Sequence, residues 1–308
     1  MISKPRSESS ELLTLRYLSP RTHLSEKEQQ YYLSLEKGYE GELQFDQNVV
    51  PRLADWLFVN DLRLEHHHSY FQIDSIGITQ ETLYLFDIKN FEGDFIVEEN
   101  TWKSLTGNEI KNPLHQLARC ETLFKKFAQE RRLHFSIKSF LIFINPHFTL
   151  YQAPLNPAII FPTQLDRFIK TMELERPTLN NRHMNLSNLL ISSHKEKYPY
   201  SSSPHYNYNE IAKGIVCSSC NSLITTVSNS EPTGKLFCSK CFFIESHENA
   251  ILQCVKEIQI LFPDRKISTV EVYNWCGGLI SKKKIQRVLT QNYQRQGQGK
   301  FSYYVEKR

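Results

Sequence analysis

Four cysteines fall in two tight pairs, Cys217-x-x-Cys220 and Cys238-x-x-Cys241, with 17 residues between the pairs. No other feature constrains the chain as strongly. Two turns that each present a pair of thiolates can close on one tetrahedral Zn²⁺ at about 2.3 Å per sulfur. With all four positions filled by protein, such an ion is structural, and metal binding supplies the folding free energy of a segment with little core of its own. The expected unit is a zinc ribbon over residues 211–245. Unrelated thiols or a redox Cys-x-x-Cys are the competing readings, and duplication of the pair weighs against both.

A ribbon covers little of 308 residues, and a chain of this length should divide into two or three domains. Its 40% hydrophobic and 23% charged residues describe a folded globular protein. The opening MISKPRSESSELL has no apolar signal-peptide segment, and no run of about 18 apolar residues occurs, so the expected location is cytoplasmic, with no membrane partner. The net charge of +4 is uneven: residues 255–308 carry eleven Lys/Arg against four Asp/Glu, which leaves the rest at −3. A basic tail predicts a polyanionic partner, and a solvated basic face accounts for the charge equally well.

Residues 1–30 read as a polar N-terminal extension. Helix formers run from about Ser25 to Val50, interrupted only by Gly38 and Gly41. Strand-like runs follow at 56–66, 70–78 and 82–91 and predict a meander. Asn112 and Pro113 then open a helix through Arg132, and Ile137–Ile144 reads as a buried strand before Asn145-Pro146. The order is αβββαβ. Residues 174–210, rich in Ser, Pro, Asn and Tyr, read as a connector with one short amphipathic stretch near 185–191. Residues 246–308 read as three short helices, with a capping box at Ser268 and Glu271 and a third helix opened by Ser281, followed by a hairpin-like end.

In the third strand, TLYLFDIKNF, the two-residue period places Asp87 and Lys89 on one face and Tyr84, Phe86 and Ile88 on the other. A turn at Gln80-Glu81 would set Asp74 opposite Asp87, with two carboxylates about 5 Å apart. Such a pair stays ionised at neutral pH only with a cation between its members, and Mg²⁺, which binds through one or two carboxylates plus substrate phosphate, suits it. His66, His67 and His68 cannot chelate one ion from a strand, because neighbouring side chains point to opposite faces, so an exposed strand end is expected. Trp56 and Trp102 are assigned to packing, and Cys120 to a small buried apolar position.

The motifs Gly38-Tyr39-Glu40-Gly41-Glu42, Ile73-Asp74, Asp87-Ile88-Lys89 and Asn112-Pro113-Leu114-His115-Gln116 occur in an order that resembles the nuclease-related domain (NERD) family, over about residues 31–170. That family is similar to the restriction-endonuclease-like superfamily, whose αβββαβ core matches the element order. The resemblance implies an α/β (α+β) restriction-endonuclease-like nuclease domain at 31–173, with Glu42, Asp74, Asp87, Lys89 and Gln116 as its catalytic set. It makes Asp74, Asp87 and Glu42 the carboxylates for Mg²⁺ or Mn²⁺, Lys89 the catalytic lysine and Gln116 a polar residue lining the site. Asp87 stands where the family more often has Glu, which shortens the ligand arm by one methylene and keeps its oxygen chemistry.

The last sixty residues resemble a winged helix-turn-helix. Lys282, Lys283 and Lys284 fall in the first turn of the third helix, where the macrodipole disfavours cations. Phosphate contact would account for them, with Arg287, Arg295 and Lys300 extending the surface. The expected function is metal-dependent hydrolysis of phosphodiester bonds in nucleic acid, DNA foremost, with the ribbon and basic tail positioning substrate. The alternative is a non-catalytic nucleic-acid-binding or regulatory protein that keeps the nuclease fold.

Overall fold

A computed structural model describes residues 1–99, 101–196, 204–226 and 235–307. They form two compact units, one of Met1–Glu8 with Ser34–Ser201 and one of Ser9–Leu33 with Ser202–Arg308. The first residues, which lack a period in the sequence, contain β1 (Ile2–Lys4), in the first unit, and α1 (Ser10–Leu18), in the second. Helix α2 (Glu26–Asn48) is unbroken despite its two glycines. Gly41 has a packing reason: a Cβ there would stand 2.5 Å from Cβ of Asn90, so only glycine lets the helix come this close to the end of the third predicted strand.

That meander consists of β2 (Leu57–His66), β3 (Ser69–Ile78) and β4 (Thr82–Lys89), all antiparallel. The Gln80-Glu81 turn gives the expected register, with Ser75 paired to Phe86 and Ile78 to Leu83. His67 and His68 form the β2–β3 turn at φ +46° and +60°, the left-handed pair that a two-residue hairpin turn requires, and the three histidines offer no common ligand face. After β4 come three strands the sequence pattern did not announce, β5 (Gly93–Glu98), β6 (Thr101–Ser104) and β7 (Glu109–Ile110). Then α3 (Pro113–Glu130) starts where expected, with Asn112 Oδ1 accepting from Leu114 N at 2.9 Å.

The α3 crossover makes β8 (Ser136–Phe143) parallel to β4 over its whole length. Beyond it lie β9 (Phe148–Tyr151), which completes a small sheet in the order β7-β6-β5-β9, and β10 (Ile159–Ile160). The central mixed sheet runs β1-β2-β3-β4-β8-β10. One face packs Phe86, Ile88 and Ile142 with Phe45 of α2 and Ile169 of α4 (Pro162–Glu173). The other packs Leu83 and Leu85 with Phe124 and Phe127 of α3 and Leu186 and Leu190 of α5 (Asn181–Ser192). Residues 181–192, read from sequence as part of a connector, thus contribute to this core.

In the second unit, β11 (Ile215–Val216) pairs with β12 (Leu223–Ile224), and β13 (Lys235–Phe237) pairs with β14 (Ile244–Ser246). Helices α6 (His247–Leu261), α7 (Thr269–Trp275) and α8 (Lys282–Asn292) follow, and Ser268 caps α7 as predicted. The hairpin of β15 (Tyr293–Gln296) and β16 (Tyr303–Glu306) ends the unit, with Tyr304 bridging to Ile267 ahead of α7. Among the described residues, no helix is long and apolar enough to cross a membrane.

Candidate active site

The strand period in β4 holds as read: Leu83 and Leu85 share one core and Tyr84, Phe86 and Ile88 the other. Asp87 and Lys89 therefore emerge on the α3 face. The neighbouring strands are less regular. Core-facing positions change parity along β2, from Leu57 and Val59 to Leu62 and Leu64, and along β3, from Phe71 and Ile73 to Ile76 and Ile78. The change occurs at Asp61, which has φ +48°, and at Asp74 across from it. Gln72 Nε2 and Lys4 Nζ hold this kink through Asp61 Oδ1 at 3.3 Å and the Asp61 carbonyl at 2.8 Å.

Asp74 occupies the kink, and the β3–β4 ladder stops one pair short of it, at Ser75 and Phe86. Its Oδ2 instead accepts the Ile88 N–H at 2.8 Å, so a side-chain carboxylate replaces a backbone acceptor at the end of the ladder. Burial, and then the charge of Asp87, push the Asp74 carboxyl up to about 6. Lys89 Nζ lies 2.6 Å from Asp87 Oδ1 and donates to Gln116 Oε1 at 3.3 Å. Burial opposes the ammonium, but Asp87 and Asp74 outweigh it and hold the lysine above its ordinary pKa. Asp87 Oδ1 is buried against that ammonium. Four of the expected residues, Asp74, Asp87, Lys89 and Gln116, are thus joined by direct bonds or by mutual charge.

Glu42 is linked to them by charge but takes its direct bond elsewhere. Its Oε2 accepts from Arg6 Nη1 at 2.6 Å, while Arg6 Nε and Nη2 take both oxygens of Asp46 at 3.0 and 3.1 Å. Burial and the charge of Asp74 push the Glu42 carboxyl up to about 8 against the pull of Arg6. Among the described residues, the four cysteines alone place three or more metal-ligating atoms within 4.8 Å of one another, so Glu42, Asp74 and Asp87 do not form a cluster of that tightness. Arg6 and Asp46 were not anticipated. The four-residue spacing of Glu42 and Asp46 on one helix was a visible sign of a shared cation, whereas nothing in the sequence tied Arg6 to them.

Cys120 is only partly buried, and its thiol donates to the Gln72 carbonyl at 3.3 Å. Burial, then Asp87 and Asp74, push it up to about 12. It is a protonated neighbour of the acidic pair rather than a plain apolar filler.

The cysteine cluster is built from two like turns. Asn221 N and Phe242 N donate to the carbonyls of Cys217 and Cys238, and both residues have left-handed backbones, at φ +54° and +63°. Sγ of Cys217 lies 3.6 Å from that of Cys241, and Sγ of Cys220 lies 3.7 Å from that of Cys238. A tetrahedron with 2.3 Å metal–sulfur bonds has an edge of about 3.8 Å, so the cluster is consistent with a zinc ribbon and could hold such an ion. Burial alone would raise the Cys238 thiol, but the Ser222 hydroxyl and the amides of Cys241 and Lys240 bring it down to about 6, whereas burial pushes Cys217 up to about 12.

On α8, Ile285, Val288 and Leu289 are buried, while Lys282, Lys283 and Arg287 are exposed and Lys284 is partly so. Ser281, Lys283, Lys284, Arg287 and Thr290 line one shallow groove. Lys282 Nζ sits 4.7 Å from the centre of the Tyr273 ring, and Arg295 is exposed on β15. The side chain of Lys300 lies outside the described residues.

The family model of the nuclease-related domain, NERD, matches residues 37–144. The matched stretch runs from within α2 to the end of β8 and holds Glu42, Asp74, Asp87, Lys89 and Gln116, but not Arg6. No curated protein and no solved structure matches the chain.

Proposed function

We propose that the first unit is a restriction-endonuclease-like nuclease that hydrolyses phosphodiester bonds in nucleic acid, DNA foremost, with Mg²⁺ or Mn²⁺. The observation that carries this reading is the constellation of Asp74, Asp87 and Lys89 inside the NERD-matched segment. The residues fit a divalent ion: two carboxylates repel across the end of a ladder. Asp74 and Asp87 would hold it, and when bound it supplies Lewis-acid activation of water and neutralises charge on the phosphoryl oxygens.

The chain's own groups do the rest. The Ile88 N–H fixes Asp74, so one ligand arm is set by the backbone of the strand that carries the other. Lys89, kept protonated by both aspartates, is a positioned cation that stabilises charge developing on the phosphoryl group or the leaving alkoxide. Gln116, in the first turns of α3, accepts one Lys89 proton and orients the ammonium.

The second unit then places substrate. The cysteine cluster holds structural Zn²⁺, and the three helices with their hairpin form a winged helix whose α8 face carries Lys282, Lys283, Lys284 and Arg287 to phosphates. The test is incubation of the purified full chain with plasmid, linear duplex, single strands and RNA, with Mg²⁺, Mn²⁺ or neither. Metal-dependent cleavage that Asp87→Ala abolishes is the expected result. Binding without cleavage across the whole panel would replace this reading with that of a regulatory nucleic-acid-binding protein. Metal analysis of reduced protein should give about one zinc per chain, lost when Cys217 and Cys220 are both replaced by Ser.

A further inference from the structure

The buried guanidinium of Arg6 is a strong charge near the candidate site that the preceding reading leaves without a role. Its side chain is 2% exposed, and three of its nitrogens donate to carboxylates that lie four residues apart on α2. Like charges at that spacing repel one another unless a cation stands between them. Asp46 is tied further inward, since its Oδ1 also accepts from Asn60 Nδ2 at 3.2 Å and Asn60 Oδ1 accepts from Ser75 Oγ at 2.7 Å, next to Asp74.

The segment that delivers Arg6 is fixed at several points. Strand β1 pairs in parallel with β2, and Lys4 Nζ donates to the carbonyls of Asn60 and Asp61 at the kink. Lys4 and Arg6 therefore hold the kink that carries Asp74 and the helix face that carries Glu42, although Lys4 and Arg6 lie outside the family-matched stretch.

We propose that Arg6 is a positioning residue of the nuclease site: it holds Glu42 in an ion cluster with Asp46, out of the metal's coordination shell, so that one divalent ion binds through Asp74 and Asp87. The position of Glu42 agrees, because its bonded oxygen is 2.6 Å from a guanidinium whose other two donors are fixed on both oxygens of Asp46. This inference rests on the nuclease reading above and departs from the resemblance, which would make Glu42 a ligand.

Isothermal titration of Mn²⁺ into the zinc-loaded full chain, without nucleic acid, tests it. Wild type should take up one Mn²⁺ per chain. Asp87→Asn should abolish this binding, while Glu42→Gln should change the affinity by less than about twofold, as expected of a carboxylate already neutralised by a neighbour. Arg6→Ala should release Glu42 and tighten Mn²⁺ binding about tenfold or add a second ion, since it removes a positive charge from a poorly hydrated site. That gain should vanish in the Arg6→Ala/Glu42→Gln double variant. Cleavage by Arg6→Ala should fall about 10- to 100-fold, the usual cost of losing a group that orients site residues, and Arg6→Lys should recover part of it. Unchanged melting temperature and zinc content show that the variants fold, and Arg6→Lys keeps the test open if Arg6→Ala does not. Equal loss of Mn²⁺ binding in Glu42→Gln and Asp87→Asn would overturn the proposal and leave the nuclease reading intact. Absence of Mn²⁺ binding in wild type would sink both.

Discussion

Two arginines only 15 residues apart in the chain are both buried among carboxylates, and they differ in what remains after pairing. Arg21, in the second unit, donates to Glu257 Oε2 at 2.5 Å and to the carbonyls of Ala212 and Gly214, and it stacks 4.3 Å from the Trp275 ring. Glu257 also accepts from Trp275 Nε1 and Gln253 Nε2. One charge meets one charge, and both carboxylate oxygens are used. Arg6, in the first unit, meets two carboxylates beside a further aspartate pair that a single lysine does not neutralise. A charge-matched network of this kind, even with Arg21 Nε buried without a partner, holds a core together, whereas an unmatched one leaves a charge for something outside the chain to satisfy. Burial and ion pairing alone do not separate structure from chemistry; residual charge does.

The sharpest way to break the comparison is to remove a charge from each network. Asp87→Ala should lower cleavage by at least about a thousandfold, the order lost when a preorganised charge at the reacting group is deleted, with zinc content and fold unchanged. Steady-state cleavage with saturating Mn²⁺ measures it, and wild-type turnover in the folded variant would remove the chemistry from this side of the comparison.

Arg21→Ala should do the reverse. Leaving Glu257 buried and unpaired should destabilise the second unit by about 3–5 kcal/mol, read as a shift of the denaturant midpoint, while cleavage below the melting range persists. Arg21→Met with Glu257→Leu, which removes both charges together, should recover much of that loss. A double variant as unstable as the single one would mean that the pair stabilises the core by its charge and not merely by being satisfied.

What the sequence could reveal follows the range of the forces involved. Asp87 and Lys89 share a face because strand alternation is local, and the β3–β4 register followed from a two-residue turn, so the placement of these candidate residues was legible. The helix cap at Asn112 and the cysteine turns were legible for the same reason: their bonds span only a few residues. Arg6 was not. It reaches Glu42 across 36 positions through a three-residue edge strand too short to show a period. The kink at Asp61 and Asp74 was equally hidden, because a left-handed Asp leaves no mark in a hydrophobic pattern. Strands β5 to β7 escaped notice because most of their residues are half-exposed, which weakens the alternation that would announce them.

A smaller effect separates the two networks by pH. The Asp74 carboxyl is raised from 3.8 to about 6, so its contribution to stability is fully present below about pH 4 and is lost as pH rises through about 6. Asn at this position can still accept the Ile88 N–H but does not ionise. In zinc-loaded protein without Mg²⁺ or Mn²⁺, Asp74→Asn should therefore gain about 1–3 kcal/mol over wild type between pH 4 and pH 7, read as a growing difference in thermal midpoint. Added Mg²⁺ should shrink that difference by stabilising only wild type. A difference independent of pH would show that Asp74 is already compensated, like Glu257.

The smallest effect per residue belongs to the exposed cations of α8, and it extends the same argument to the surface. Lys283, Lys284 and Arg287 share a groove, have buried Ile285, Val288 and Leu289 behind them and, unlike Arg21, have no carboxylate among the groove's lining residues. Lys283 and Lys284 also sit in the first turn of a helix whose dipole opposes them, so the free chain gains nothing from their placement. If phosphates complete this set, each Lys→Ala or Arg→Ala substitution should remove about 0.9 from the slope of log affinity against log salt on duplex DNA. The loss should be nearly independent of sequence, because a phosphate contact carries none. Fold stability should change by less than about 0.5 kcal/mol, as for surface substitutions that break no network. Fluorescence anisotropy of a labelled duplex across a salt series reads the slope directly. A triple Lys283→Ala/Lys284→Ala/Arg287→Ala variant with the wild-type slope would show that the face is merely solvated.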